Sequence, residues 1–283
     1  MTKQERAEVF RESMRLCREN ERLKTAIENS IRNQKVYWEE EGITAPDMKG
    51  DAAPRLVISE KRTLEAAGPY AREGRRVCAL NFASFVQPGG GVKKGAGAQE
   101  ESICRISTLF PALDDKDTAG PFYEKHRAIA EQNKESGRDF MEYRRNRDDC
   151  IYTPGVIVFR KDTHDCELMP EEDWYETDII TCAAPDLRNA WQMPDSSELY
   201  SVIESRVLKV IQTAACHQAE VLILGAFGCG VFRNPPEMVA SAFETVLKQY
   251  GPYFETVDFA LGHNSRDGDN YRAFAGIRDI ING

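Results

Sequence analysis

Hydrophobic and polar positions divide the chain into two regimes. Residues 3 to about 33 are polar and helix-prone, with Phe10, Met14, Cys17, Leu23, Ile27 and Ile31 forming a sparse apolar stripe that predicts one long helix or two. No heptad is sustained, which favours packing on a core over a coiled-coil partner. From about residue 55 short apolar runs alternate with longer amphipathic segments. The runs Leu56–Ser59, Val77–Asn81, Gly155–Arg160, Asp178–Cys182, Val221–Leu224 and Val257–Leu261 predict strands. Helices are predicted over Lys61–Ala71, Gln99–Phe110, Ser197–His217, Pro236–Tyr250 and Asp269–Ile281. The longest carries Leu199, Val202, Ile203, Val207, Val210, Ile211 and Ala214 on one face. Val221–Leu224 is apolar throughout, as a strand covered on both sides requires. Pro235 and Pro236 suit the first turn of the helix over Pro236–Tyr250. Such alternation implies a three-layer α/β/α domain. Asp114–Asp149 is rich in charge and poor in aliphatics, and reads as a surface helix with a loop insertion.

The composition narrows the function classes. With 283 residues, 41% of them hydrophobic and 29% charged, the chain has the profile of a soluble globular protein with a sizeable core. A formal charge of −9 argues against a general nucleic-acid binder but leaves room for a local pocket that takes one diphosphate. No apolar run approaches a membrane span and the N-terminus lacks a signal-peptide core, so a cytoplasmic protein is expected. The eight cysteines, at 17, 78, 104, 150, 166, 182, 216 and 229, form no Cys-x-x-Cys pair, and buried reduced thiols are expected. His126, His164, His217 and His263 are scattered, with no metal-ligand spacing among them.

Two loops carry the candidate chemistry. The first runs from Asn81 through Ser84 to Gly89, Gly90 and Gly91, then a seven-residue spacer, Val92 to Ala98, and then Gln99, Glu100 and Glu101. Glycines let backbone approach a ligand closely, and the adjacent carboxylates offer an acid or a base. The loop leaves the carboxyl end of a predicted strand, where open α/β sheets bind ligands. Acidic residues at a helix start also simply complement the helix dipole, and spacing alone leaves both readings open. The second loop, Gly225 to Phe232, follows the strand Val221–Leu224 with the order Gly-x-x-Gly-x-Gly. This is neither a Rossmann fingerprint nor a nucleoside-triphosphatase loop. It suits either backbone amides cradling a diphosphate or a tight turn that merely needs glycine.

The Gly-Gly-Gly, spacer, Gln-Glu-Glu series is similar to the signature of the poly(ADP-ribose) glycohydrolases. Asn81-Phe82-Ala83-Ser84 and Gly225 to Phe232 resemble the short bacterial-type members, and the order of elements fits across most of the chain. The resemblance implies a three-layer α/β/α macrodomain-like fold with a mixed central sheet. It also implies an N-terminal helical extension, residues 1–50, packed on a catalytic domain, residues 51–283. The implied activity is hydrolysis of ribose–ribose O-glycosidic bonds in poly(ADP-ribose), releasing ADP-ribose, with no cofactor and no metal. Glu101 is implied as the catalytic acid, with Glu100 and Gln99 positioning the ribose and its polar network. Two crowded carboxylates raise the pKa of one of them, which supplies the proton. Asn81 and Ser84 are implied on the ribose side, Ser84 standing where many macrodomains carry asparagine. Gly89, Gly90 and Gly91 are implied against the substrate, Gly228, Cys229, Gly230 and Val231 around the diphosphate, Phe232 against the distal ribose side, and Phe227 among the substrate-binding residues. Trp174, Tyr175, Tyr152 and Phe159 are the aromatic candidates for adenine, and the sequence does not choose among them. Rival readings are a mono-ADP-ribosyl hydrolase acting on modified protein or nucleobase, and a non-catalytic ADP-ribose-binding macrodomain. A binding module would have no need of the glutamate pair.

Overall fold

The computed structural model describes residues 1–44, 52–136, 148–188, 195–262 and 268–277. The N-terminal stripe folds as two helices, α1 (Lys3–Glu19) and α2 (Glu21–Asn33). Asn20 separates them, because its backbone N–H closes α1 on the Leu16 carbonyl while its side chain accepts from the Leu23 N–H and caps α2. A strand too short to show a period follows, β1 (Lys35–Tyr37), and then β2 (Arg55–Ser59), α3 (Thr63–Arg72) and β3 (Val77–Phe82).

The helix predicted over Gln99–Phe110 is two helices, α4 (Gln99–Ile106) and α5 (Leu109–Leu113). Between them Ser107 turns extended and bridges Val158, and Thr108 exchanges hydrogen bonds with Ile157 through its N–H and its hydroxyl, both at 2.9 Å. Sheet pairing to a distant strand here overrides a helical period. The segment expected as a surface insertion contains α6 (Gly120–Glu135), which buries Phe122, Tyr123 and His126. The His126 ring sits 4.7 Å from that of Phe85, so this helix backs the loop leaving β3. The rest of the chain is β4 (Cys150–Val158), β5 (Tyr175–Cys182), α7 (Ser196–Cys216), β6 (Val221–Leu224), α8 (Pro236–Tyr250), β7 (Thr256–Ala260) and α9 (Asp269–Ala275). The expected end of the last helix, at Ile281, lies outside the described residues, as does His263.

The seven strands form one mixed sheet in the order β1-β4-β5-β3-β6-β7-β2. β5, β3, β6, β7 and β2 run parallel, while β4 pairs antiparallel with both β1 and β5. Side chains alternate between two cores. Val77, Ala79, Val221 and Ile223 point to the face covered by the N-terminal helices and α3 to α6, and Cys78, Leu80, Leu222 and Leu224 to the face covered by α7, α8 and α9. After β3 the chain continues toward β4 and β5 on one side, and after β6 toward β7 on the other. A crevice therefore opens between β3 and β6 at their carboxyl ends, where a doubly wound sheet binds ligands. No helix among the described residues is long and apolar enough to cross a membrane.

Candidate active site

Both glycine loops open onto that crevice, a cleft of about 810 Å³. Ser84, Gly90, Gly91, Gln99, Glu100 and Glu101 line it from the β3 side, and Gly228, Gly230, Val231 and Phe232 from the β6 side. The two motifs stand more than a hundred residues apart in the chain, and the adjacency of β3 and β6 brings them face to face.

Gln99, Glu100 and Glu101 open α4, and each fastens to a different stretch of the loop. The Gln99 side-chain oxygen accepts from the Phe82 N–H (2.8 Å), while its amide donates to the Leu80 carbonyl (2.7 Å) and to Thr63 Oγ1 (3.0 Å). Glu100 Oε2 accepts from the Ser84 N–H (2.8 Å), and Glu101 Oε1 from the Gly91 N–H (2.8 Å). The other two oxygens, Glu100 Oε1 and Glu101 Oε2, are sealed from solvent and make no hydrogen bond of ordinary geometry among the described residues. Burial pushes the Glu100 carboxyl well above its ordinary value, and the neighbouring Glu101 charge adds to the rise. Burial therefore favours the neutral form of the Glu100 carboxyl.

Gly90 is where the two carboxylates converge. Its φ is +54°, and a Cβ there would stand 2.6 Å from Glu101 Oε1 and 3.0 Å from Glu100 Oε2. Only glycine gives both the backbone conformation and the space. Behind it, a side chain on Gly89 would strike the Phe110 ring at 2.7 Å. Asn81 lies beneath the site, fully buried, donating to Thr181 Oγ1 (3.2 Å) with its own oxygen unpaired among the described residues.

On the opposite wall Gly228 also has a positive φ, +74°, and a Cβ would meet Ala184 Cβ at 2.3 Å and Asn234 Nδ2 at 2.5 Å. Asn234 pins the loop by donating to the Pro185 and Gly228 carbonyls (2.8 and 3.1 Å). Gly230 has open space where a side chain would go. Among the described residues the amides of Gly228, Gly230, Val231 and Phe232 donate to no protein acceptor, whereas those of Phe227 and Cys229 are used within the loop. Unused main-chain donors on one turn are what an anion site requires. Val231 is exposed at the tip, and Phe232 is half-buried below it. Phe227 is buried against Phe82, with ring centroids 5.7 Å apart, so that it supports the loop from beneath; Cys229, half-buried, likewise sits outside the cleft lining.

Several lining residues carry no local sequence signal. Arg188 forks onto Asp186 and lies with its guanidinium 5.0 Å from the centroid of the Phe232 ring; Leu187 N–H donates to the Phe232 carbonyl (3.1 Å). The loop after β5 is thereby zipped to the second glycine loop. Across the cleft Asp162, buried, accepts from the Leu64 N–H (3.0 Å) and stands 3.7 Å from Arg62. Thr63, Phe82, Leu261 and Gly262 also line the cleft. None of Trp174, Tyr175, Tyr152 and Phe159 reaches it: all four are buried in the two cores, and among the described residues the aromatic rings that line the cleft belong to Phe82 and Phe232. Among the described residues no group of three or more His, Cys, Asp or Glu side chains could hold a metal ion.

The family model for the microbial-type PARG catalytic domain matches residues 4–161. Among solved structures, the chain is similar to the poly(ADP-ribose) glycohydrolase (PARG) of Thermomonospora curvata at 30% identity and a TM-score of 0.79, over 96% of this chain and 98% of that one. The same enzyme bound to the inhibitor ADP-HPD gives 30% identity and a TM-score of 0.78 over the same shares of the two chains, 96% and 98%. The Deinococcus radiodurans enzyme in complex with ADP-ribose gives 27% and 0.73, over 89% and 96% of the two chains. No curated protein matches the chain.

Proposed function

Because the chain belongs to the microbial-type poly(ADP-ribose) glycohydrolase family, we propose that it hydrolyses the ribose–ribose O-glycosidic bonds of poly(ADP-ribose) and releases ADP-ribose, with Glu101 as general acid and then base. The observation that carries this reading is the pair of carboxylates converging on Gly90, directly across one cleft from four unused backbone amides. A substrate diphosphate on Gly228, Gly230, Val231 and Phe232 would lay the adjoining ribose along the cleft toward Glu101. Ser84, Gly90, Gly91 and Gln99 would form the wall against that ribose, with Glu100 and the buried Asn81 holding its polar network.

Because burial keeps the Glu100 carboxyl high, the pair enters the reaction with a proton that two exposed carboxylates would have shed. Glu101, taking up the proton that the pair holds on Glu100, delivers it to the glycosidic oxygen as the bond from the anomeric carbon to that oxygen breaks, and the bonding electrons leave with the oxygen as a hydroxyl. The oxocarbenium-like ribose left behind is attacked by water. The Glu101 carboxylate takes the water's second proton, which restores the acid and leaves a free ribose hydroxyl on each product. The negative diphosphate beside the site stabilises the developing positive sugar. Residues 1–50 serve as an integral extension of the catalytic domain, residues 51–283; β1 joins the sheet while α1 and α2 close one of its faces. Eight free cysteines, six of them buried, support a reducing, cytoplasmic setting.

The test is release of ADP-ribose from polymer, mono-ADP-ribosylated protein and mono-ADP-ribosylated DNA by the purified chain, alongside Glu101→Gln. Hydrolysis of polymer is expected, with turnover of the variant reduced about 10²–10⁴-fold and ADP-ribose affinity retained. Release from a mono-modified substrate but not from polymer would overturn the substrate assignment. Near wild-type turnover of the folded variant would remove Glu101 from the chemistry.

A further inference from the structure

The first turn of α1 grips the spacer that separates the three glycines from the glutamates. Gly95 has φ +75°, and a Cβ there would lie 1.8 Å from the Lys3 carbonyl oxygen, so helix and loop touch backbone to backbone. Arg6 Nε donates to the Gly95 carbonyl (2.8 Å), and its Nη1 to the Met1 carbonyl (2.9 Å). The guanidinium of Arg105, 1% exposed, donates from Nε to the Arg6 carbonyl (3.1 Å) and from Nη2 to the Ala96 carbonyl. Ala96 N–H then donates to the Gly91 carbonyl (3.2 Å), and Gly91 N–H to Glu101 Oε1 (2.8 Å).

These bonds close a ring. It leaves α4 at Glu101, passes through Gly91 and Ala96, and returns to α4 one turn later at Arg105, with Arg6 clamping it from another element. A buried guanidinium whose protein hydrogen bonds go to main-chain carbonyls fixes backbone where a carboxylate partner would fix only a side chain. We propose that Arg6 and Arg105 are positioning residues for hydrolysis, and that through them the N-terminal helix sets the placement of the Glu101 carboxylate. The proposal rests on Glu101 being the general acid. Neither arginine lines the cleft. Losing the clamp should therefore slow the chemical step and spare binding at the second glycine loop.

The experiment compares wild type, Arg6→Ala and Arg6→Lys in polymer hydrolysis, with melting curves and ADP-ribose calorimetry. Loosening a catalytic group by even about 1 Å costs on the order of 10²-fold, so kcat of Arg6→Ala is expected to fall about 10- to 100-fold with KM and ADP-ribose affinity within about twofold of wild type. Arg6→Lys, which can still donate to one of the two carbonyls, is expected to recover part of kcat. An inactive wild type would defeat the assignment of function. An active wild type matched within twofold in kcat by a folded Arg6→Ala would defeat this inference alone. If Arg6→Ala does not fold, Arg6→Lys decides: full turnover overturns the clamp, and reduced kcat at unchanged affinity supports it. A rise in KM or a loss of ADP-ribose affinity that equals the loss of kcat would show a general structural role and also overturn it.

Discussion

Replacing Gly90 with alanine should separate catalysis from folding. The new methyl group would stand 2.6 Å from Glu101 Oε1, and ordinary contact begins at 3.4 Å, so the carboxylate oxygen must withdraw by the difference, about 0.8 Å. A withdrawal of that size stretches the 2.8 Å bond from the Gly91 N–H past hydrogen-bonding range. It also moves Glu100 Oε2, which would lie 3.0 Å from the same methyl. Both displaced atoms are ends of side chains, so the fold can yield; what remains is the cost of an L-residue at φ +54°, about 1–2 kcal/mol. For a chain of this size that corresponds to a fall of roughly 2–8 °C in melting temperature. The catalytic cost is larger, since a misplacement approaching 1 Å costs on the order of 10²-fold in turnover. The assay is ADP-ribose release from polymer at saturating substrate, with melting followed in parallel. A folded Gly90→Ala protein that turns over within a few-fold of wild type would refute the reasoning, because the two carboxylates would then have no need of the space above Gly90.

Three further substitutions test the opposite wall and the buried glutamate. Gly230→Val should fold normally and lose ADP-ribose affinity in calorimetry, since the site of its side chain is open and faces the cleft; Gly228→Val should lose folding stability first, because its Cβ alone would meet Ala184 at 2.3 Å. If the Gly230→Val protein binds ADP-ribose like wild type, the loop is a structural turn and the diphosphate binds elsewhere. Glu100 holds its proton more tightly folded than unfolded, so its contribution to stability is fully present below the ordinary value of 4.5 and is lost as pH rises from there through the raised folded value. Denaturant titrations across that window should show the stability of Glu100→Gln falling less steeply than that of wild type; parallel curves would mean that Glu100 is not raised.

The parallel strands and the long helices were legible in the chain because their cause is local. An all-apolar run such as Val221–Leu224 demands cover on both faces, and the stripe of the helix beginning at Ser196 demands a core. The two loops were legible because positive φ combined with close approach, as at Gly90 and Gly228, calls for glycine, which leaves a mark in one-dimensional order. What could not be read depends on pairings across distance. β1, three residues long, exists because β4 offers an edge, and the break at Ser107 exists because Val158 lies beside it. Sequence brought Glu100 and Glu101 together with the glycines before them, but strand order alone set the second loop opposite. Arg188, Asp162 and the Arg6–Arg105 clamp belong to segments with no motif, so their roles appear only when the sheet has brought those segments to the carboxyl ends of β3 and β6. The same holds for the protonation of the pair. Two adjacent glutamates announce that one carboxyl will be raised, whereas the burial that raises Glu100 is a property of the packed molecule.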